Sequence, residues 1–162
     1  MTVDAQVPTT SPLVIRVVER GDHEAWLVLW VGYNAFYGRV GPTAVPQKVS
    51  DLTWDRFFDA YELMFALVAE QDGRLLGIVH YLFHRNTSMA QPSCYLQDLF
   101  TSQDARGKGV GRALIKAVYD RARAAGCSRV YWQTHETNHS AMHLYDQVAE
   151  RSGFVVYRHD LS

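Results

Sequence analysis

Apolar positions along the chain follow two rhythms. Short alternating or continuous apolar runs mark strands, and spacings of three and four mark helices. Leu13–Glu19 reads as an opening strand. Asp22 then caps a helix that carries Trp26, Leu29, Trp30, Tyr33 and Phe36 or Tyr37 along one face. Gly38, Gly41, Pro42 and Pro46 break the chain, and Ser50 or Thr53 opens a second helix bearing Trp54, Phe57 and Phe58. Phe65–Glu70 and Arg74–Phe83 are two strands joined at Asp72-Gly73, a hairpin signal because both residues tolerate positive φ. Asn86–Ser93 is a polar loop leading into a core strand, Cys94–Thr101. The segment Arg112–Ala125 has Val110, Leu114, Ala117, Val118 and Ala125 near helical spacing, and Gly126 terminates it. Arg129–Thr134 is the next strand, Thr137 or Asn138 caps a helix running to about Arg151, and Phe154–Tyr157 after Gly153 is a final strand.

Between the strand ending at Thr101 and the third helix lies Arg106-Gly107-Lys108-Gly109-Val110-Gly111-Arg112. Glycines let a backbone turn sharply and let a ligand approach its N–H groups. The helix that follows directs its partly positive end at the same place, so the run is an anion site suited to phosphate or pyrophosphate. No Lys-Ser or Lys-Thr follows a glycine here, which removes the P-loop reading. The spacing is Gly-x-Gly-x-Gly, and too little chain follows it for a dinucleotide-binding domain.

What fits is Arg-x-x-Gly-x-Gly, at Arg106, Gly109 and Gly111, with a strand before it and helix, strand, helix and strand after it. This resembles the acyl-CoA pyrophosphate loop of the GNAT superfamily of N-acetyltransferases. Tyr95–Phe100 and the stretch from Thr137-Asn138 to Leu144-Tyr145 look like diamine acetyltransferases, and still more like a small fungal acetyltransferase acting on histones and polyamines. Trp132, Thr134, Glu136, Asn138, His139, Leu144 and Tyr145 match in that comparison. The resemblance implies an α/β (α+β) GNAT fold, a mixed and mostly antiparallel twisted sheet flanked by about four helices. It also implies acetyl transfer from acetyl-CoA to a primary amine, whether of a small amine, a polyamine, an amino acid or a protein lysine. The alternative is a non-catalytic module of the same fold that only binds acyl-CoA.

The resemblance also distributes roles. Acetyl-CoA lies along Leu99, Phe100 and Thr101, on the loop Arg106, Gly107, Lys108, Gly109, Val110, Gly111 and Arg112, and against Asn138. The Leu99 N–H stabilises charge on the thioester oxygen. Tyr145 is the proton donor to the leaving thiolate. Packing alone also explains Tyr145, which shares a helical stripe with Ala141, Leu144 and Val148. Diamine acetyltransferases carry Glu directly after their Tyr-Leu pair, where this chain has Gln97, and an amide takes no proton at neutral pH. The base is left among Asp98, redirected by a bulge, and a water relay through Glu136 or a tyrosine hydroxyl. Tyr33, Phe36 and Tyr37 either fill the core or wall the acceptor pocket with Gln97 and Glu136, whereas Trp26 and Trp30 read as core.

Other features narrow the picture. The 162 residues suit one domain, expected over residues 13–162 behind a loose tail of residues 1–12 that has neither a basic start nor an apolar core. A net charge of −1 argues against a nucleic-acid partner, and the Lys108, Arg112 and Lys116 charges suit CoA phosphates. Two cysteines, Cys94 and Cys127, make no disulfide framework, so a reducing, cytoplasmic setting is expected. No apolar run is long enough to span a membrane. His135, His139 and His143 recur every fourth residue, but His135 precedes the helix cap, so no metal site is expected. The nearest likeness suggests a dimer or a dimer of dimers, and a homodimer is expected.

Overall fold

The computed structural model describes residues 10–161, so most of the expected N-terminal tail lies outside the described residues. The chain divides into two compact units, Met1–Trp132 and Gln133–Ser162.

The first unit is built on a five-stranded sheet: β1 (Val14–Val17), β2 (Met64–Gln71), β3 (Arg74–His84), β4 (Ser93–Thr101) and β5 (Arg129–Tyr131), in that spatial order. The first four strands are antiparallel to their neighbours, and β5 runs parallel to β4. The β2–β3 hairpin turns at Asp72 (φ 50°) and Gly73 (φ 73°), both in the left-handed region that a twisted two-residue turn requires. Three helices accompany the sheet: α1 (His23–Phe36), α2 (Gln47–Arg56) and α3 (Val110–Ala124). Thus α2 starts earlier than expected, directly after Pro46, whose fixed φ suits a helix entry; Phe57 is its C-cap. Asp22 precedes α1 but does not cap it; its carboxylate instead takes the Glu19 N–H and both arms of Arg16.

Two apolar layers sandwich the sheet. Ile78 packs with Trp26, Leu29, Trp30 and Tyr33 of α1 and Trp54 of α2. Its neighbour Gly77 points the opposite way, where a Cβ would sit 3.0 Å from Leu114 and Val110 of α3. It would also sit 2.9 Å from the Phe100 carbonyl oxygen, so Gly77 lets the start of α3 press onto the sheet. Leu114, Ile115, Val118 and Ala122 form the buried face of α3, while Ala125, expected on that face, is exposed beyond the helix end. Gly126 (φ 73°) terminates α3 as expected: its N–H and that of Cys127 bond back to Arg123 and Ala122.

The second unit contains α4 (His139–Val148). It ends three residues short of Arg151, and Asn138 at its N-cap makes no capping bond; the Asn138 amide donates to Thr134 Oγ1 at 3.1 Å. Phe154–Tyr157 forms no strand, which corrects the sequence expectation, and Phe154 and Tyr157 are about nine-tenths exposed at 90% and 92%. β-formers alone are insufficient, because a strand needs a partner to satisfy its backbone. The strand expected at Arg129–Thr134 is likewise confined to Arg129–Tyr131, where β4 pairs with it.

Candidate active site

The β4–α3 connection is shaped by its glycines. Gly107 (φ 74°) and Gly109 (φ 83°) adopt left-handed conformations, while Gly111 lies inside the first turn of α3. A side chain on Gly107 or Gly109 would meet no atom within 4 Å, so the loop faces open space. The first hydrogen bond of α3 runs from Ala113 N–H to the Gly109 carbonyl at 3.0 Å. The N–H groups of Val110 and Gly111 therefore have no acceptor within the helix, and no side chain caps it. Exposed Arg106 and Lys108 add positive charge at the same loop. The donor set, backbone N–H groups with flanking cations and no carboxylate among them, fits a pyrophosphate.

The neighbouring strand supplies a second feature. β5 pairs with β4 only over Ser93–Tyr95, so the edge of β4 from Leu96 to Thr101 runs on past the end of its parallel partner. Leu99, Phe100 and Thr101 lie on this stretch and pair on their other side with Val79, Ile78 and Gly77 of β3. An open strand edge offers main-chain donors and acceptors to an extended ligand arm.

On the α1 side of the sheet, a bulge at Gln97 sets the geometry. His80 opposes Asp98 and Tyr81 opposes Leu96, leaving Gln97 as the extra residue. Gln97 is exposed, whereas the Asp98 side chain is only 11% exposed and turns toward α1. Asp98 Oδ2 accepts from His80 Nδ1 at 2.9 Å, and His80 Nε2 accepts from Trp26 Nε1–H at 2.9 Å. Burial first, then the charge and hydrogen bonding of Asp98, push the Tyr33 phenol well above the usual range, while Arg39 acts in the opposite sense. Burial and then the Asp98 charge likewise raise Tyr95, with smaller contributions from Tyr131 and Tyr37. Strict alternation would set Tyr95 and Asp98 on opposite faces; the bulge between them brings their charges within reach of each other.

Rings complete this wall. Tyr33 meets Tyr37 at 5.2 Å, Tyr95 meets Tyr131 at 5.0 Å, and the Tyr131 hydroxyl lies 2.9 Å from His84 Nε2. The Arg39 guanidinium sits 5.8 Å from the centre of the Tyr37 ring and donates to Asn34 Oδ1 at 2.9 Å. Asn34 is buried and itself donates to the Trp30 carbonyl, so it gives Arg39 a fixed anchor. Tyr33 is buried, whereas Tyr37 and Phe36 are 40% and 52% exposed. The result is one carboxylate at the base of a phenol-rich wall with a cation at its margin.

Sequence reasoning thus named Asp98, Tyr33, Tyr37 and Gln97, and the first three share a cluster. It missed His80, Tyr95, Tyr131 and Arg39. His80 carried a signal, a titratable residue within the apolar run Leu75–Leu82. Trp26 and Trp30 are core as expected, at 0% and 8% exposure, but their indole N–H groups also serve His80 and Ser50.

In the second unit Tyr145 is half-buried on α4 with Ala141, Leu144 and Val148, and Glu136 is exposed before the helix. His139 and His143 share α4, His135 pairs with Thr137, and no group of three potential ligands is placed to hold a metal among the described residues. Burial pushes the Cys94 thiol up to about 12, which disfavours the thiolate that an acyl-enzyme would need. No helix among the described residues is long and apolar enough to cross a membrane.

Comparison with known proteins places the chain among the N-acetyltransferases. The chain is 36% identical over 148 residues to the D-amino-acid N-acetyltransferase HPA3 of Saccharomyces cerevisiae, covering 90% of this chain and 89% of that one. It is 31% identical over 150 residues to the uncharacterized N-acetyltransferase YhfO of Bacillus subtilis, covering 88% and 94%. The aminoglycoside N-acetyltransferase AAC(6')-Iy, solved with CoA, shares the fold with a TM-score of 0.81 at 19% identity, covering 96% of this chain and 99% of that one. The sequence pattern described as the acetyltransferase (GNAT) family matches residues 28–149, and the chain belongs to that family.

Proposed function

We propose that this acetyl-CoA-dependent N-acetyltransferase acts on the primary amine of a small zwitterionic acceptor, an amino acid or a close analogue. One observation carries the reading: Asp98, turned toward α1, shares a phenol-rich wall with Arg39, whose guanidinium sits 5.8 Å from the Tyr37 ring that meets Tyr33 at 5.2 Å. An ammonium is attracted by a carboxylate and by ring faces. Arg39 suits the acceptor's own carboxylate and disfavours a polycation. The D-amino-acid activity in the name of the yeast relative supports the same class.

In this reading residues 13–162 are one catalytic domain. The loop Arg106–Arg112 holds the pyrophosphate, and the edge of β4 at Leu99, Phe100 and Thr101 pairs with the pantetheine arm. Asp98 holds the acceptor ammonium and passes its proton to solvent; Gln97 borders the approach. The freed amine forms a C–N bond to the thioester carbonyl carbon, and the Leu99 N–H stabilises the oxyanion. The C–S bond then breaks, and the thiolate takes the Tyr145 phenol proton. The nitrogen's second proton restores the phenol, so the products are an amide, CoA thiol and one proton. No acyl-enzyme forms.

A second copy of the chain is the proposed partner, supported by the exposed apolar run Phe154–Tyr157, and the cytoplasm is the proposed site of action. Light scattering on the purified protein tests the dimer. The acceptor is tested by comparing kcat/KM for an amino acid with that for its decarboxylated amine, in the parent and in Arg39→Ala. The parent prefers the amino acid by about tenfold or more, and Arg39→Ala removes most of that preference. Equal rates for the two amines in the parent would refute the zwitterion.

A further inference from the structure

We infer that His80 is a positioning residue for Asp98, and that Trp26 sets the imidazole tautomer that makes it one. The inference rests on the reading of Asp98 as the anchor of the acceptor ammonium. An indole N–H can only donate, so the 2.9 Å contact from Trp26 Nε1 makes His80 Nε2 an acceptor. The single proton of the neutral ring then sits on Nδ1, which lies 2.9 Å from Asp98 Oδ2. Nδ1–H donates to the carboxylate, and the chain Trp26, His80, Asp98 runs in one direction. The opposite tautomer would set two N–H groups against each other in a dry site.

Burial makes the arrangement unforgiving. Trp26 is 0% and His80 2% exposed, and the imidazole is packed by the rings of Trp30 at 5.4 Å and Phe57 at 4.8 Å. An apolar side chain at position 80 would fill the space among these rings but leave the buried Trp26 indole N–H and the Asp98 carboxylate without their partner. A buried polar pair that ends on a carboxylate instead fixes that carboxylate. Tyr33 from α1, His80 from β3 and Tyr95 from β4 are the titratable groups that face Asp98. Of these, only His80 has its donor direction dictated from behind, by Trp26. The consequence is one orientation for Asp98, with His80 on Oδ2, the Tyr33 hydroxyl also bonded to the carboxylate, and the ammonium docking to a fixed anion.

The test combines kinetics with nitrogen NMR of the imidazole. His80→Leu removes the donor; His80→Asn keeps an N–H near the place of Nδ1; Trp26→Phe keeps the ring packing but removes the donor to Nε2. His80→Leu lowers kcat/KM for the acceptor by about tenfold or more, with KM for acetyl-CoA unchanged, and His80→Asn recovers most of the loss. In the parent the His80 proton resides on Nδ1 and the Nε2 signal is that of a hydrogen-bonded acceptor; in Trp26→Phe the Nε2 signal shifts as its donor is lost. A His80 proton on Nε2 in the parent, or His80→Asn no better than a folded His80→Leu, overturns the inference. If His80→Leu does not fold, His80→Asn and Trp26→Phe still decide it. A parent protein that releases no CoA thiol with any amine would overturn the acetyl-transfer reading instead, and the tautomer measurement stands apart from that result.

Discussion

The loop after β4 and the cluster around Asp98 solve different problems with different materials. The loop is made of backbone. Its features, two left-handed glycines and the start of α3, come from seven consecutive residues. The cluster is made of side chains gathered from α1, β3, β4 and β5, with Trp26 and His80 54 residues apart in sequence and His80 and Asp98 18 apart. A backbone site tolerates side-chain change but not loss of glycine. A side-chain site depends on register, and here one bulge at Gln97 decides which residues meet. Donor-side changes should therefore alter acetyl-CoA binding alone, and acceptor-side changes should alter amine kinetics alone.

The sharpest way to break this division is Tyr145→Phe, at the proposed proton donor. It should lower kcat by about 10²-fold while leaving acetyl-CoA affinity intact, as calorimetry beside steady-state kinetics would reveal. A matching loss of affinity would put Tyr145 in the donor site.

Gly109→Asp should weaken acetyl-CoA binding by more than about tenfold. It forces a side chain to φ 83° and brings a negative charge to the anion site. Calorimetry measures the loss, and the acceptor KM extrapolated to saturating acetyl-CoA should not change. Unaltered affinity would mean that the pyrophosphate lies elsewhere.

Gly77→Ala probes the seating of α3. The new Cβ would stand 2.9 Å from the Phe100 carbonyl oxygen, so the strand or the helix must shift. A destabilisation of about 1–3 kcal/mol is expected from overpacking. It should be read by chemical unfolding, with the loss of acetyl-CoA affinity exceeding any change at the amine site.

The smallest effect concerns the link from β1 to the start of α1. Arg16 bonds Asp22 at 2.7 and 2.8 Å and Glu70 at 2.6 Å. The Arg16 hydrogen bond is the main cause holding the Asp22 carboxyl below its ordinary range. A depressed carboxyl stabilises the fold fully above its unfolded pKa, and the contribution disappears as pH falls through the folded value. Stability should therefore drop on acidification below the ordinary carboxylate range. Asp22→Asn should flatten that slope in urea titrations run at several acidic pH values.

Much of the fold is legible in the sequence because local chemistry dictates it. Asp72-Gly73 makes the hairpin, Gly126 ends α3, and the glycine spacing marks the loop. The start of α2 at Gln47 was not legible from Ser50 or Thr53, since Pro46 rather than a hydroxyl side chain opens it. Phe154–Tyr157 reads as a strand from its β-formers, yet no partner strand lies in the second unit among the described residues. The acceptor side was legible only in pieces. Asp98 stood out beside Gln97, but its orientation depends on a register shift that no residue type announces. His80 looked like one more position in an apolar strand, and its meaning comes from an indole on another element.

The most direct measurement is release of free CoA thiol from acetyl-CoA, followed across D- and L-amino acids, their decarboxylated amines, spermidine and a lysine-bearing peptide. The account predicts turnover with kcat/KM highest for an amino acid, by about tenfold over spermidine and the peptide. A peptide or polyamine preferred by about tenfold, roughly 1.4 kcal/mol of transition-state binding, would contradict it.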